Sequence, residues 1–125
     1  MINSKLDDVK TLNKFNSEIR RQQEEAHGKD YCAIHDAIKK YLNECNSYME
    51  LGVHQGGTAS AALMTNPKMV QLVDISMSKY NKFLAPLAEK HSIDNNIELN
   101  IISGTRNFEE QKVIWERKWE KLHEL

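Results

Sequence analysis

The sequence predicts an α/β fold in three layers, with about three parallel strands and with helices at both ends of the chain. Two observations lead to this prediction. Near residue 48 the apolar residues stop recurring at every third or fourth position and gather in short runs instead. From there on, three such runs alternate with helical segments, and connections of this length favour parallel strands with right-handed crossovers.

Two amphipathic helices are predicted before the first strand. Apolar residues recur at helical spacing over residues 4–26, and Gly28 is typical of the position just after a helix end. Asp30 is a candidate N-cap for a second helix that we expect to end near residue 43. We expect its apolar face to consist of Ile34, Ala37, Ile38, Tyr41 and Leu42.

The central part of the chain predicts the order strand, helix, strand, helix, strand. The strands are expected at residues 48–53, 69–74 and 97–102, and the helices between them at residues 58–64 and 78–91. Pro86 lies inside the second of these helices, where a proline lacks a hydrogen-bond donor and clashes with the preceding turn. The sequence therefore predicts a kink or a break at Pro86.

At 125 residues the chain has the size of one domain. Within it we distinguish N-terminal helices at residues 1–46, a βαβαβ unit at residues 47–105 and a C-terminal helix at residues 106–125. The last helix carries an apolar stripe that we expect to be buried in the core or in a subunit contact: Phe108, Trp115, Trp119 and Leu122.

The composition excludes several classes of function. Seventeen basic and eighteen acidic residues leave a net charge of −1, which provides no long-range field for a nucleic-acid backbone. No apolar run is long enough for a membrane helix, and the N-terminal segment resembles neither a signal nor a transit peptide. With only two cysteines, Cys32 and Cys45, we expect reduced thiols and a cytoplasmic protein.

The most informative segment is residues 50–58, between the first strand and the following helix. Gly52 permits a sharp turn at the end of the strand, and Gly56 and Gly57 allow a ligand or another segment to approach the backbone closely. Exposed amides at such a turn attract anionic or polar groups. We therefore predict a ligand site here, although a tight connection that binds nothing would have the same residues.

Asp74 closes the second predicted strand, 24 residues after Glu50. If the two strands are adjacent and parallel, its carboxylate stands beside the glycine turn, where it can accept hydrogen bonds from the two hydroxyls of a ribose. The alternative is that Asp74 caps a helix or faces water. The five histidines and two cysteines have no metal-ligand spacing, so we expect no metal site.

These residues resemble the first two motifs of the class I S-adenosylmethionine-dependent methyltransferases, which have a Rossmann-like fold. Glu50, Gly52, Gly56 and Gly57 are similar to the family's acidic residue followed by glycines before a helix, and Asp74 is similar to the acidic residue that ends its second strand. The resemblance covers residues 48–105, so it implies a truncated, N-terminal cofactor-binding half.

The resemblance implies roles for particular residues. Gly52, His54 and Gly56 would line the methionine and ribose side of S-adenosylmethionine, and Gly57 would also belong to the cofactor-binding residues. Glu50 would support the cofactor through the turn, and Asp74 would bind the ribose. The adenine would lie near the end of the third strand, at the residues Ser103, Gly104 and Thr105. Catalytic residues are not identified.

Three functions therefore stay open. The chain is an S-adenosylmethionine-binding protein that transfers methyl groups to an unknown acceptor, or it catalyses another reaction of this cofactor such as its cleavage. Alternatively, it is a non-catalytic module that acts through oligomeric assembly. Since the fourth strand of the family is not found, a methyltransferase would need a partner subunit or a longer parent protein. The open edge of the first strand also favours homo-oligomers.

Overall fold

The structure is a computed structural model that describes residues 9–104 and 108–123, without the side chains of residues 108–111, 114 and 121–123. It contains six helices and three strands in this part of the chain. In chain order they are α1 (Leu12–His27), α2 (Ala33–Leu42), β1 (Ser47–Leu51), α3 (Gly57–Leu63), β2 (Met69–Asp74), α4 (Ser78–Phe83), α5 (Ala85–Asp94), β3 (Glu98–Ser103) and α6 (Phe108–His123).

Both N-terminal helices begin later than predicted. Thr11 is the N-cap of α1, where its hydroxyl accepts a hydrogen bond from the Lys14 amide at 3.2 Å, and the described residues before it are not helical. Gly28 ends the helix as predicted, with φ of 107°. Asp30 does not cap α2, because the chain first makes a turn in which the Ala33 amide donates to the Asp30 carbonyl at 3.2 Å.

The predicted apolar face of α2 is wrong in part. Leu42 is buried, but Ile34 and Tyr41 are 54% and 64% exposed, and the other fully buried side chain of the helix is His35. The imidazole of His35 lies against Gly57 at the start of α3. A Cβ atom on Gly57 would lie 3.5 Å from Cε1 and Nε2 of the ring, which is ordinary van der Waals contact, so the imidazole packs directly on the start of α3.

Pro86 divides the helix that was predicted at residues 78–91. Helix α4 ends at Phe83 and α5 begins at Ala85, so that Pro86 falls in the first turn of α5. A proline is tolerated there, since the amide groups of a first turn have no partner within the helix. Leu84 lies at the junction and is fully buried.

The three strands form one parallel sheet in the order β1-β2-β3, which confirms the α/β class and the predicted parallel pairing. The register pairs Leu51 with Val73 and Asp74 with Ser103. The carboxyl ends of the strands consequently lie at one edge of the sheet, where the turn after β1 also begins.

The described hydrophobic core lies on one face of this sheet. Tyr48, Val70, Leu72 and Leu99 point toward the helices and contribute to the core together with residues of α1, α3, α4 and α5. Two successive right-handed crossovers in one direction put their helices on the same face, which explains this arrangement.

Among the residues whose burial is described, the sheet and the helices on one of its faces form two layers, whereas three layers were predicted. On the opposite face of the sheet, Met49 and Leu51 are 59% and 75% exposed. Trp115 and Trp119 of α6 are also exposed, so they do not lie in the described core, and their burial in a subunit contact stays a prediction. The side chains of Phe108 and Leu122 lie outside the described residues. None of the described helices is long and apolar enough to cross a membrane.

Candidate functional site

The turn between β1 and α3 has an unusual backbone. Gly52, His54 and Gly56 all have positive φ angles, of 83°, 52° and 96°. Glycine adopts this region without cost, whereas a histidine there is strained by about 1 kcal/mol. The turn therefore depends on its glycines for its shape, as the sequence predicts.

The two outer glycines of the turn have different neighbours. A Cβ atom on Gly52 would meet nothing within 4 Å, so the space above this residue is open. A Cβ atom on Gly56 would overlap the Cδ2 atom of the buried Leu84. Gly56 is therefore required by packing against the α4–α5 junction, and Gly52 is the glycine that leaves room for a ligand.

Asp74 contacts the turn directly. Its Oδ2 atom accepts hydrogen bonds from the amides of Val53 at 2.7 Å and His54 at 3.0 Å. The hydrogen bond from the His54 amide is the main cause that lowers the pKa of Asp74 below its ordinary value. The other oxygen, Oδ1, has a long contact of 3.4 Å with the Ser76 amide. The amides of Ser76 and Ile75 lower the pKa of Asp74 less than the amides of the turn do.

Glu50 is a buried carboxyl group next to the same turn. Its side chain is only 8% exposed, and Oε1 accepts a hydrogen bond from the Tyr48 hydroxyl at 2.6 Å. Oε2 is buried and makes no well-formed hydrogen bond to the described residues, although the Thr58 hydroxyl lies close enough to the carboxyl group to lower its pKa. Burial raises the pKa of Glu50, and the hydroxyls of Thr58 and Tyr48 oppose this shift without cancelling it.

Replacement of Glu50 by glutamine should stabilise the protein at neutral pH. A raised pKa means that the folded protein binds more protons than the unfolded chain, so wild-type stability falls as pH rises from about 4.5 through the raised pKa. We expect Glu50→Gln to gain about 1 kcal/mol at pH 7, because it removes a buried charge while the amide oxygen still accepts from Tyr48. Urea denaturation at several pH values between 4 and 8 measures the free energy of unfolding of both proteins. The same change of this free energy with pH in the wild type and in Glu50→Gln would contradict the prediction.

The predicted adenine end of the site lies beside Asp74. Ser103 is the register partner of Asp74, and the Gly104 amide donates a hydrogen bond to the Asp74 carbonyl at 2.6 Å. A Cβ atom on Gly104 would stand 3.1 Å from the Ile75 backbone, so a glycine suits this close approach. The third predicted residue, Thr105, lies outside the described residues.

A cavity of about 360 Å³ lies between the turn and the helices α1 and α2. Of the residues predicted from sequence, it includes Gly52, His54 and Gly57. On the helix side it is lined by residues that the sequence analysis did not identify as site residues, namely Ile19, Gln23, Tyr31, Cys32, Ile34 and His35. No local motif marks these positions, because they reach the turn only through tertiary packing.

The helix side of the cavity is held in place by polar contacts. The Arg20 guanidinium in α1 donates to both carboxylate oxygens of Asp36 in α2, at 2.7 and 2.9 Å. Below this pair, the buried Asn16 amide contacts His35 Nδ1 at 3.3 Å and donates to Ser60 Oγ at 2.9 Å. These contacts fix α1, α2 and α3 relative to each other, and with them the walls of the cavity.

The described residues contain no group of three or more histidine, cysteine, aspartate or glutamate side chains that could hold a metal ion. Cys32 is buried, Cys45 is exposed, and both are free thiols. Comparisons with protein-family models, with curated proteins and with solved structures gave no match to this chain.

Proposed function

We propose that the chain binds S-adenosylmethionine through a truncated Rossmann-like unit similar to the cofactor half of class I methyltransferases. The observation that carries this proposal is the contact between Asp74 and the amides of Val53 and His54, at 2.7 and 3.0 Å. It joins an acidic strand end and a glycine turn at the carboxyl edge of two adjacent parallel strands. This is the edge at which open α/β sheets bind their ligands.

The charges and the open space around Asp74 suit an adenosyl ligand. The ribose hydroxyls would donate to Asp74 Oδ1, which the turn amides leave available. The open space above Gly52 gives the ligand access to the backbone, and Ser103 and Gly104 flank the adenine end. The buried Glu50 carboxyl interacts with the Thr58 hydroxyl at the start of α3, which supports a role of Glu50 in holding the turn beside the ligand.

When bound, S-adenosylmethionine would supply a methyl group to a nucleophile of the acceptor, with the electron pair of the broken S–CH₃ bond left on sulfur. Catalysis of this kind consists mainly of holding the two reactants in line. A base is needed only where the nucleophile must lose a proton.

Isothermal titration calorimetry with S-adenosylmethionine and S-adenosylhomocysteine tests the proposal. We expect both to bind with micromolar affinity. In NMR spectra of the same samples, we expect both to shift the backbone amide resonances of Gly52, His54 and Gly56. NAD⁺ and ATP serve as controls for other nucleotide folds and should bind at least tenfold more weakly. If neither adenosyl ligand produces heat or thermal stabilisation, the proposal is wrong. Chromatography of the incubated cofactor separates methyl transfer from cleavage.

A second candidate function is assembly without catalysis, which is favoured by the open side of the sheet. β1 is an edge strand of the described sheet, and Met49 and Leu51 on its uncovered face are largely exposed. Unpaired edges and apolar faces favour association with another chain. Light scattering of the wild type and of Leu51→Lys tests this function by measuring their molar masses in solution. Assembly requires that the wild type is an oligomer and that Leu51→Lys dissociates more easily.

A further inference from the structure

His35 is a buried titratable residue that the proposed adenosyl site does not use. Its side chain is 4% exposed, and it lies in the wall of the cavity between α1, α2 and the β1–α3 turn. The Asn16 amide nitrogen contacts His35 Nδ1 at 3.3 Å. The same amide nitrogen donates to Ser60 Oγ at 2.9 Å and lies 3.4 Å from the Gly57 carbonyl oxygen. We assign its second N–H to His35 Nδ1, which leaves the proton of the neutral ring on Nε2.

The surroundings of His35 keep the ring neutral. Burial is the main cause that lowers its pKa, and the cations Arg20 and Lys39 act in the same direction, against Asp36 and Glu24. Nε2 makes no hydrogen bond to the described residues. It therefore offers a fixed N–H donor that protein atoms in this part of the chain do not satisfy.

The cavity itself has no formal charge in its described lining. Its polar side chains are glutamines, histidines and a threonine, and Tyr31 and Ile34 add an aromatic and an aliphatic surface at its rim. A charged ligand would lose part of its hydration there without gaining an opposite charge, so the cavity favours an uncharged ligand. The volume of about 360 Å³ is at the lower end of ordinary ligand sites and suits one small molecule.

We propose that this cavity is a second ligand site, which takes a small uncharged molecule and binds an oxygen or nitrogen acceptor of that molecule through His35 Nε2–H. The cavity shares Gly52, His54 and Gly57 with the residues predicted to contact S-adenosylmethionine, so this ligand would lie beside the adenosyl ligand. The existence of this second site does not depend on the proposed function. Only the role of its ligand does: if the chain binds S-adenosylmethionine, the second ligand is the other substrate.

Three probes with the same ring and different charge test the inference: benzamide, benzoate and benzylammonium. We follow the ¹⁵N resonances of the histidine rings in the full chain while each probe is added. We expect His35 to show the Nε2–H tautomer without any probe and its Nε2 resonance to shift with benzamide. Benzoate and benzylammonium should bind at least tenfold more weakly. Equal binding of either ion, or no shift of His35 with any probe, would overturn the inference.

Two variants separate ligand binding from a structural role. A glutamine amide reaches the position of Nε2, whereas an asparagine amide reaches only that of Nδ1. We therefore expect His35→Gln to keep benzamide affinity within about threefold and His35→Asn to lose at least tenfold, with similar melting temperatures. Equal losses in both variants would assign His35 a structural role only.

Titration with S-adenosylhomocysteine on the same samples distinguishes the two proposals. Benzamide binding in a protein that does not bind S-adenosylhomocysteine would support the second site and reject the adenosyl function. The reverse result would support the adenosyl function and reject the second site.

Discussion

Replacement of Gly56 by alanine should destabilise the protein by about 3 kcal/mol. Two costs add up at this position. The backbone has φ of 96°, which a residue with a Cβ atom adopts at a cost of about 1–2 kcal/mol. The new methyl group would also overlap Leu84, whose side chain is fully buried, and overpacking of a core costs about 1–3 kcal/mol.

Gly52→Ala is the matched control for this prediction. Its φ is also positive, at 83°, but a Cβ atom there meets nothing within 4 Å. It should therefore cost only the backbone term of about 1–2 kcal/mol. Leu84→Ala should cost less in the Gly56→Ala background than in the wild type, since the overlap is then relieved. Urea denaturation of the wild type, the three single variants and the double variant measures these differences, and equal costs for both glycines would contradict the packing argument.

Replacement of Asp74 by alanine should weaken the binding of S-adenosylmethionine by a factor of about 10–100. The carboxylate has two roles in the proposed site: Oδ2 holds the amides of Val53 and His54, and Oδ1 accepts from the ribose. A hydrogen bond to a charged group contributes about 1.5–3 kcal/mol, which corresponds to this loss of affinity. Calorimetry on wild type and variant gives the value directly.

The same variant should lose stability in a pH-dependent manner. The lowered pKa of Asp74 means that its contribution is complete above the ordinary value of 3.8 and is lost as pH falls toward the folded pKa. We therefore expect the wild type and Asp74→Ala to converge in stability under acid conditions.

Asp94→Ala is the control for both predictions on Asp74, because Asp94 is an exposed carboxylate at the last residue of α5. Similar losses of affinity in both variants would exclude a specific role of Asp74.

The position of Asp74 beside the glycine turn followed from the sequence. Apolar runs of strand length, separated by helical segments, predicted parallel neighbours, and parallel neighbours bring their carboxyl ends together. The sequence did not predict that Asp74 would bind the amides of the turn. That contact depends on the backbone of Val53 and His54, and the positive φ of His54 has no signal in the residue pattern.

The helix side of the cavity shows the opposite case. The apolar residues of α2 predicted that Ile34 and Tyr41 would be buried, but the structure buries His35 instead. The buried imidazole packs against the backbone of Gly57, and its Nδ1 atom contacts the Asn16 amide at 3.3 Å. Both partners are far away in the sequence, so helical periodicity alone could not have identified the residue.

By itself the sequence determined the α/β class, the order of strands and helices, the glycine turn and the acidic end of β2, because periodicity, backbone freedom and chain direction are local properties. Only the tertiary structure decided which glycine is packed and which is open, which face of the sheet holds the described core, and that α1 and α2 close a cavity over the turn. These features depend on contacts between residues that are distant in the chain, and side-chain volume and hydrogen-bond geometry select among them.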